Sequence, residues 1–304
     1  MSLSPIILIV YNRPEHTKKT IEALKSNTLA SKSILYIYSD APKREEDEKK
    51  VKQVRELIHN IEGFREIYVI ERERNFGLAN NIIEGISELL SKFDKVIEVE
   101  DDFLTSPEFL TYMNYFLDKY RNNGEIFSIS GFNYPKTVMK IPSKYEYDVY
   151  FSERAGAWGF ATWRNRWNKV DWEVQDFDKF LKNKSLQRKF NEMGEDRTDM
   201  LKAQMAGLID SFAIRWDYAH FKNNKYCIFP IRSYVENIGM DGTGTHWKAS
   251  SRLNQIEPLS NKTNWRIPNQ IIMDKEIKKS FIKVFKQRFL KHVSYKIIKS
   301  TLLY

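Results

Sequence analysis

Cysteine is nearly absent from this chain of 304 residues, and long apolar runs are missing from it. The single cysteine, Cys227, excludes an intramolecular disulfide and a cysteine metal cluster, and we expect it to be a small buried core residue. No window approaches the roughly 20 apolar residues of a membrane span. Residues 5–11 form a short apolar run without a basic leader, so a signal peptide is not expected. These absences favour a cytoplasmic protein.

An excess of acidic residues is also missing. The net charge is +9, although the 42% hydrophobic and 29% charged residues are typical of a soluble globular protein. Residues 275–304 hold nine Lys or Arg and one acid, a charge of +8 that leaves +1 for residues 1–274. Nucleic-acid binding is not expected, because the basic residues are confined to one segment.

The basic segment has a helical pattern. Apolar residues recur every four positions at Ile277, Phe281, Phe285, Phe289 and Val293, with Lys and Arg between them. This spacing predicts a basic amphipathic helix. Two interpretations stay open. The helix lies on an anionic membrane surface, which makes the protein peripheral at the inner membrane face, or it packs on the domain with its charges in solvent.

The first half of the chain alternates strand and helix patterns. The predicted strands cover residues 5–11, 33–39, 66–70 and 95–99, and the predicted helices cover residues 14–27, 44–60 and 78–91. This alternation predicts an α/β fold with a mostly parallel central sheet flanked by helices. Ligands of such sheets bind beyond the carboxyl ends of the strands. Arg13, Asp40, Asn75 and the acids after residue 99 all follow strand ends.

Three adjacent acids, Glu100, Asp101 and Asp102, follow the fourth predicted strand. They cannot all point into a core, because burial of unpaired carboxylates is costly. Carboxylates are suitable ligands for Mg²⁺ or Mn²⁺ that also bind substrate phosphates. The alternative is a solvated turn or a helix cap, since Ser106 and Pro107 open a helix directly afterwards.

Short blocks around these acids resemble glycosyltransferases of the GT-A fold. The blocks are Phe-Gly-Leu-Ala at residues 76–79, Lys-Val-Ile-Glu-Val-Glu-Asp-Asp at 95–102 and Ser-Pro-Glu-Phe at 106–109. The likeness is greatest to the N-acetylglucosaminyltransferase I family, where an apolar strand ends in Glu-Asp-Asp before a Pro-x-Phe-Phe helix start; bacterial family-2-like sugar transferases are also similar. The resemblance covers most of residues 5–245 and implies a GT-A fold.

The resemblance also implies roles for individual residues. It makes Asp102 the ligand of Mn²⁺ or Mg²⁺. The other implied donor contacts are Glu100 and Asp101 with the sugar or ribose, Asp40 with the uracil ring, and Arg13 with the diphosphate. Asn75 stands where the family has a histidine near the uracil, so this chain departs from the pattern there. An arginine in the first strand–helix loop independently suits bidentate phosphate binding, although it could equally be a surface residue.

The catalytic base should come from a segment other than the acid triplet, because it acts on the sugar face opposite the leaving group. Arg215-Trp216-Asp217-Tyr218 resembles the Trp-Asp-Asp-Trp segment that carries the base in the family. The likeness favours Asp217, although Tyr218 replaces the second Asp. Asp217 could instead pair with Arg215 or Arg232. Glu153 is the second candidate for the base.

Two glycine-rich segments suggest ligand contacts. Gly156 and Gly159 flank Trp158, an arrangement that suits close backbone approach and stacking on a sugar, or core packing for Trp158 and Trp163. Residues 239–246 hold three glycines, which suits a loop that closes over a donor. His246 in this loop is a candidate for a phosphate contact or a second metal ligand, and also for neither, and Asp241 shares these alternatives.

We therefore expect a nucleotide-sugar-binding half at residues 1–125, an acceptor-binding and catalytic half of the same domain at 126–272, and the basic helix at 273–304. The expected activity is metal-dependent transfer of a hexose or N-acetylhexosamine from a UDP-sugar to a glycan or lipid-linked acceptor, with inversion, in surface polysaccharide synthesis. Two alternatives stay open, a sugar-nucleotide nucleotidyltransferase and a non-catalytic glycan- or membrane-binding module. The first normally has a glycine-rich loop after the first strand, and residues 11–14 contain no glycine.

Overall fold

The computed structural model describes residues 2–242 and 253–285. The strands within them are β1 Ile6–Val10, β2 Ile34–Ser39, β3 Glu66–Glu71, β4 Lys95–Glu100, β5 Phe103–Thr105, β6 Ile126–Ser130, β7 Val149–Ser152, β8 Phe160–Trp163, β9 Tyr226–Pro230 and β10 Val235–Asn237. The helices are α1 Pro14–Lys25, α2 Glu45–Ile58, α3 Leu78–Lys92, α4 Phe109–Lys119, α5 Arg164–Trp167, α6 Phe177–Lys182, α7 Lys184–Phe190, α8 Arg197–Met205, α9 Phe212–Asn223 and α10 Lys275–Val284. Two single 3₁₀ turns, Ala30–Lys32 and Asn191–Met193, complete the described elements.

Eight strands form one mixed sheet in the order β3-β2-β1-β4-β8-β6-β9-β7. Strands β3, β2, β1 and β4 are parallel to one another, while β8 pairs antiparallel with both β4 and β6. Strand β9 runs parallel to β6, and β7 is antiparallel to β9. The carboxyl ends of β1 to β4, β6 and β9 therefore meet at one edge, here called the carboxyl edge. The predicted α/β fold with a mostly parallel sheet is confirmed.

Helices cover both faces of the sheet. In β1, Ile6 and Leu8 pack on the side of α1, α2 and α4, whereas Ile7 and Ile9 pack on the side of α3 and α9. A strand that is buried on both faces needs an unbroken apolar sequence, which is why β1 reads as a continuous run. The single cysteine, Cys227, is fully buried in β9, as its apolar surroundings in the sequence predict.

The predicted boundaries in the first half agree with the structure to within about two residues. Sequence reasoning missed α9, which runs through Arg215-Trp216-Asp217-Tyr218. The apolar residues of α9 face two different clusters, with Trp216 in one and Ile214 and Tyr218 in the other, so its helical stripe is hard to recognise.

The described part of the basic C-terminal segment packs on the domain. Helix α10 starts at a capping residue, Asp274, whose side chain accepts bonds from the backbone N–H groups of Glu276 and Ile277. Ile277 and Phe281 are fully buried in a cluster with residues of β7 and β9. Residues 286–304, the rest of the predicted helix, lie outside the described part of the chain. Among the described residues, no helix is long and apolar enough to cross a membrane.

Candidate functional site

The loop after β1 and the acids after β4 meet at the carboxyl edge. The Arg13 guanidinium donates from Nη1 to Oδ2 of Asp102 at 2.7 Å. The backbone N–H of Tyr11 lies 3.4 Å from Oδ2 of Asp101, and the Thr20 hydroxyl donates to the Asp101 carbonyl at 2.8 Å. Parallel pairing of β1 with β4 produces this meeting, since Ile9 is in register with Glu100. The sequence-based expectation that Arg13 and the acid triplet gather is therefore fulfilled.

Four carboxyl groups crowd the end of β4, and we call Glu98, Glu100, Asp101 and Asp102 the acid cluster. Burial, reinforced by the neighbouring acids, raises the pKa of Glu98 and of Glu100 well above the ordinary glutamate value. Burial and then Asp102 raise the pKa of Asp101 to about 7, although Arg13 counteracts them. Burial also raises the pKa of Asp102, against the lowering effect of Arg13. Each shift reports a carboxylate whose negative charge is poorly compensated.

Asp102 offers an oxygen for a cation. Its Oδ2 atom bonds Arg13, but its buried Oδ1 atom has no hydrogen-bond partner among the described residues. No group of three or more His, Cys, Asp or Glu side chains in the described part of the chain is arranged as a complete metal site. One carboxylate oxygen fits the manner in which Mg²⁺ or Mn²⁺ binds through one or two carboxylates together with substrate phosphates.

A glycine lies directly against the Arg13–Asp102 pair. A Cβ atom at Gly239 would overlap the Asp102 carboxylate and would come within 2.8 Å of Nη1 of Arg13. Antiparallel pairing of β10 with β5 brings this segment to the acids, and the Ile238 N–H donates to the Asp102 carbonyl at 2.9 Å. The glycine-rich segment thus reaches the site at its first glycine. His246 lies outside the described residues.

Asp40 and Asn75 meet at the ends of β2 and β3. Asp40 accepts bonds from the N–H groups of Phe76 at 2.8 Å and Gly77 at 3.0 Å, and from the Asn75 amide at 3.1 Å. Burial raises the pKa of Asp40, while these backbone donors lower it. The carboxylate therefore joins the loop after β2 to the loop that precedes α3, whatever further contact it makes with a ligand.

Sequence reasoning missed His16, and it named Asp241 only together with His246, as a candidate for a phosphate contact or a second metal ligand. Asp241 approaches Arg13 with an O···N distance of 3.5 Å and His16 Nε2 with a distance of 3.0 Å. His16 is the third residue of α1 and lies three positions after Arg13. The spacing of Arg13 and His16 at i and i+3 on a helix start is the signal that places them on one face.

Asp217 belongs to a different kind of cluster. Arg197 donates to both of its oxygens, from Nε to Oδ2 at 2.7 Å and from Nη2 to Oδ1 at 3.0 Å, and the Ala155 N–H adds a bond of 2.8 Å. Arg154 likewise donates to both oxygens of Asp196, at 2.8 and 2.7 Å. We call these two pairs the ion-pair network. The sequence suggested Arg215 or Arg232 as an alternative partner for Asp217. In the structure its arginine partner is Arg197 instead.

Glu153 lies away from the acid cluster. It follows β7, whose carboxyl end points away from the carboxyl edge because β7 is antiparallel to β9. Its side chain is 39% exposed and accepts a bond of 2.8 Å from Lys278 of α10. Trp158, five residues later, packs edge-on against Phe132 with ring centroids 4.6 Å apart, and Trp163 is buried in the core.

With this geometry established, the chain can be compared with known proteins. Residues 6–183, more than half of the chain, match the family model of glycosyl transferase family 2. No curated protein matches the chain. The finer likeness to the N-acetylglucosaminyltransferase I family stays a prediction.

Solved structures of transferases are similar to the chain at low identity. S. aureus TarS residues 1–349 share 12% identity over 76% of this chain and 59% of that chain, with a TM-score of 0.42. A longer S. aureus TarS chain shares 12% identity over 76% and 36%, with a TM-score of 0.41. The mannosyltransferase PcManGT from Pyrobaculum calidifontis, in complex with GDP-Man and Mn²⁺, shares 13% identity over 42% and 35%, with a TM-score of 0.29. The chain spans less than two thirds of each of these relatives, so the family assignment rests on the sequence match.

Proposed function

The chain belongs to glycosyl transferase family 2, and we propose that it moves a hexose or N-acetylhexosamine from a UDP-sugar to a glycan or lipid-linked saccharide acceptor. The observation that carries this proposal is the buried Oδ1 atom of Asp102, which has no hydrogen-bond partner within residues 2–242 and 253–285 and lies beside the Arg13 guanidinium at the carboxyl edge. A nucleotide diphosphate is bound through a divalent metal ion and through cationic side chains that contact its phosphates. The Asp102 oxygen is suited to the metal ion, and the Arg13 guanidinium is suited to the phosphates.

Asp102 would hold Mn²⁺ or Mg²⁺, and Arg13 would donate hydrogen bonds to the diphosphate. A metal bound there supplies Lewis acidity, which stabilises the charge on the departing diphosphate. Glu100 and Asp101 would contact the sugar or ribose. His246 stays a candidate for a phosphate contact on the sequence alone.

The nucleoside would bind at the ends of β2 and β3. We propose that Asp40 contacts the uracil ring and that Asn75 takes the place of the family's histidine. Asp40 is held by three donors from residues 75–77, so it is already oriented before a ligand arrives. Fixed polar groups of this kind raise affinity because less freedom is lost on binding.

For the base we propose Asp217, with Glu153 as the second candidate, in a transfer that inverts the sugar. The geometry sets a condition for Asp217, because both of its oxygens accept bonds from Arg197. Arg197 must release one oxygen before Asp217 can take a proton from an acceptor hydroxyl. Glu153 would have to separate only from the partly exposed Lys278 before it could accept a proton. Its carboxylate would also have to move to the carboxyl edge.

We further propose a role in surface polysaccharide synthesis, with the protein peripheral at the inner membrane face. The support is the sequence of residues 286–304, which hold five Lys or Arg and no acid. Such a segment is attracted to anionic lipids, at about 1 kcal/mol for each basic residue near the surface. The packed helix α10 would attach it to the domain.

The test is calorimetric titration of UDP with Mn²⁺ into the wild type and Asp102→Ala. We expect metal-dependent binding that Asp102→Ala weakens at least about tenfold, because the cation loses its carboxylate. Asp118→Ala is the matched control, since Asp118 also forms a partly buried pair, with Lys95 at 2.6 Å, on the opposite side of β4 from the site. Equal affinity in all three proteins would contradict the proposed donor site, and binding of GDP in place of UDP would correct the nucleotide.

A further inference from the structure

The Asp241 carboxylate lies across two cationic or potentially cationic groups. Its Oδ1 atom is 3.5 Å from Arg13 Nη2, and its Oδ2 atom is 3.0 Å from His16 Nε2. Both groups belong to the start of α1, and Arg13 uses its other terminal nitrogen, Nη1, for Asp102. An anion with two oxygens therefore already occupies the position between Arg13 and His16.

The chemistry of this position suits a phosphate. A carboxylate and one edge of a phosphate both present two oxygens to a pair of N–H donors. The first turn of a helix adds a favourable potential for either anion. The position also adjoins Asp102, so a cation held by Asp102 and a phosphate held by Arg13 and His16 would be neighbours.

Exposure separates this contact from the ion-pair network. The Asp241 side chain is 43% exposed, although Arg13 and His16 are exposed by only 13% and 17%, whereas in the network Arg197 and Asp217 are exposed by only 1% and 5%. An exposed pair contributes little net free energy, because water solvates the separated charges almost as well. Separation of Asp241 from Arg13 and His16 should therefore cost less free energy than separation of Asp217 from Arg197.

We propose that Arg13 and His16 form a phosphate subsite, and that Asp241 occupies this subsite until a diphosphate displaces its carboxylate. The proposal rests on the proposed function for the identity of the ligand, a nucleotide diphosphate. It adds His16 as a binding residue and makes Asp241 a competitor within the same chain. Removal of the competitor's charge should tighten phosphate binding, because the phosphate then has no carboxylate to displace and no negative charge beside it.

The probe that tests this proposal is inorganic pyrophosphate, titrated calorimetrically in the presence of a chelator so that no metal contributes. We expect Asp241→Asn to bind pyrophosphate about two- to fivefold more tightly than the wild type, the size expected for loss of an exposed ion pair. We expect His16→Asn to bind it about three- to tenfold more weakly, because one donor is lost.

The chain offers matched controls in a similar pair remote from the site. His59 Nε2 lies 2.8 Å from Glu71 Oε1 on the surface formed by α2 and β3. His59→Asn and Glu71→Gln should leave pyrophosphate affinity unchanged. Thermal unfolding of all four variants reports whether any change in affinity arises from loss of the fold.

The outcomes separate this proposal from the proposed function. Tighter binding by Asp241→Asn with weaker binding by His16→Asn supports the subsite, even if UDP itself fails to bind. Unchanged or weaker binding by Asp241→Asn would overturn the competitor role, even if UDP with Mn²⁺ binds and depends on Asp102. Weaker binding by His59→Asn equal to that of His16→Asn would also overturn it, because the effect would then be general electrostatics.

Discussion

The acid cluster and the ion-pair network both bury charged groups, but they differ in how far other residues of the chain compensate those charges. In the network, the buried Arg197 and the largely buried Arg154 meet two buried aspartates, and each aspartate accepts two bonds from its arginine. In the acid cluster, four carboxyls crowd one strand end, both oxygens of Glu98 lack a hydrogen-bond partner among the described residues, and Asp102 has one unbonded oxygen. The first arrangement is complete without a ligand, and the second is not.

This difference indicates which cluster is a binding site. Burial of a charge is costly unless an opposite charge and hydrogen bonds compensate it. The network meets that requirement from within the chain, which suits a structural role in joining residues 154–155 to α8 and α9. We propose that in the acid cluster a cation from solution meets this requirement. Raised pKa values that gather at one place are typical of functional sites, and here their cause is burial, reinforced for Glu98, Glu100 and Asp101 by the neighbouring acids.

The largest expected effect comes from breaking the network. Asp217→Ala leaves the Arg197 guanidinium buried without its partner, so we expect a loss of about 3–5 kcal/mol in the free energy of unfolding. Urea unfolding measures it. The control is Asp199→Ala, whose exposed pair with Lys202 at 3.7 Å should be worth less than about 1 kcal/mol. Equal losses for both variants would contradict the structural role and would leave Asp217 free to act as the base.

A double replacement sharpens that result. In the double variant Arg197→Met with Asp217→Leu neither charge remains. The free energy of unfolding should therefore fall by less in this variant than in Asp217→Ala alone. A loss as large as the sum of the single replacements would show that packing around the pair, and not its charge, stabilises the fold.

The next effect is the pH dependence of the acid cluster. The pKa of Asp101 is raised to about 7 in the folded protein from an ordinary value of 3.8. The folded state therefore binds a proton more tightly than the unfolded state, and the Asp101 contribution to stability should increase as the pH falls from about 7 towards 4. At pH 8 the metal-free Asp101→Asn variant should be more stable than the wild type, on the order of 1–3 kcal/mol.

The difference between the two proteins cancels the titration of groups remote from Asp101, and it includes the change in the pKa of Glu100, which Asp101 raises. Urea unfolding at pH 8, 6.5 and 5, with a chelator present, should show the advantage of Asp101→Asn shrinking at each step. An advantage that is constant with pH would mean that Asp101 does not titrate in this range. Added Mn²⁺ and UDP should stabilise the wild type more at pH 8 than at pH 5, because cation binding requires ionised carboxylates.

Sequence reasoning was most accurate where local pattern and position agree. The apolar run of β1, the helix that begins at Pro14 and the acids after β4 all follow from patterns within a few residues. The parallel-sheet rule then placed Arg13 near Asp102, since both follow strand ends. These inferences need only periodicity and topology, and the structure bears them out.

Contacts between distant segments could not be predicted in this way. Arg197 and Asp217 are 20 residues apart, on helices whose packing sets their distance, and no sequence spacing encodes it. Asp241 reaches His16 because β10 pairs with β5. This pairing covers only three residues of each strand, and no sequence pattern predicts it. Asp47, within the charged run of residues 43–50, makes another contact between distant segments that the sequence does not predict. Its carboxylate accepts bonds from Tyr11 and Asn12.

The smallest expected effect is the most direct comparison of the two clusters, since the same replacement of a carboxyl by an amide is made in each. Burial and its acidic neighbours keep the pKa of Glu98 well above its usual value. The raised pKa favours the protonated, neutral form of Glu98, and Glu98→Gln keeps a neutral group there, so it should change the free energy of unfolding by less than about 0.5 kcal/mol. Asp217→Asn removes a charge that Arg197 needs, so it should cost at least about 2 kcal/mol. If the Glu98 replacement costs as much as the Asp217 replacement, Glu98 is ionised and compensated. The acid cluster would then differ from the network only in geometry, and the argument that it awaits a cation would fail.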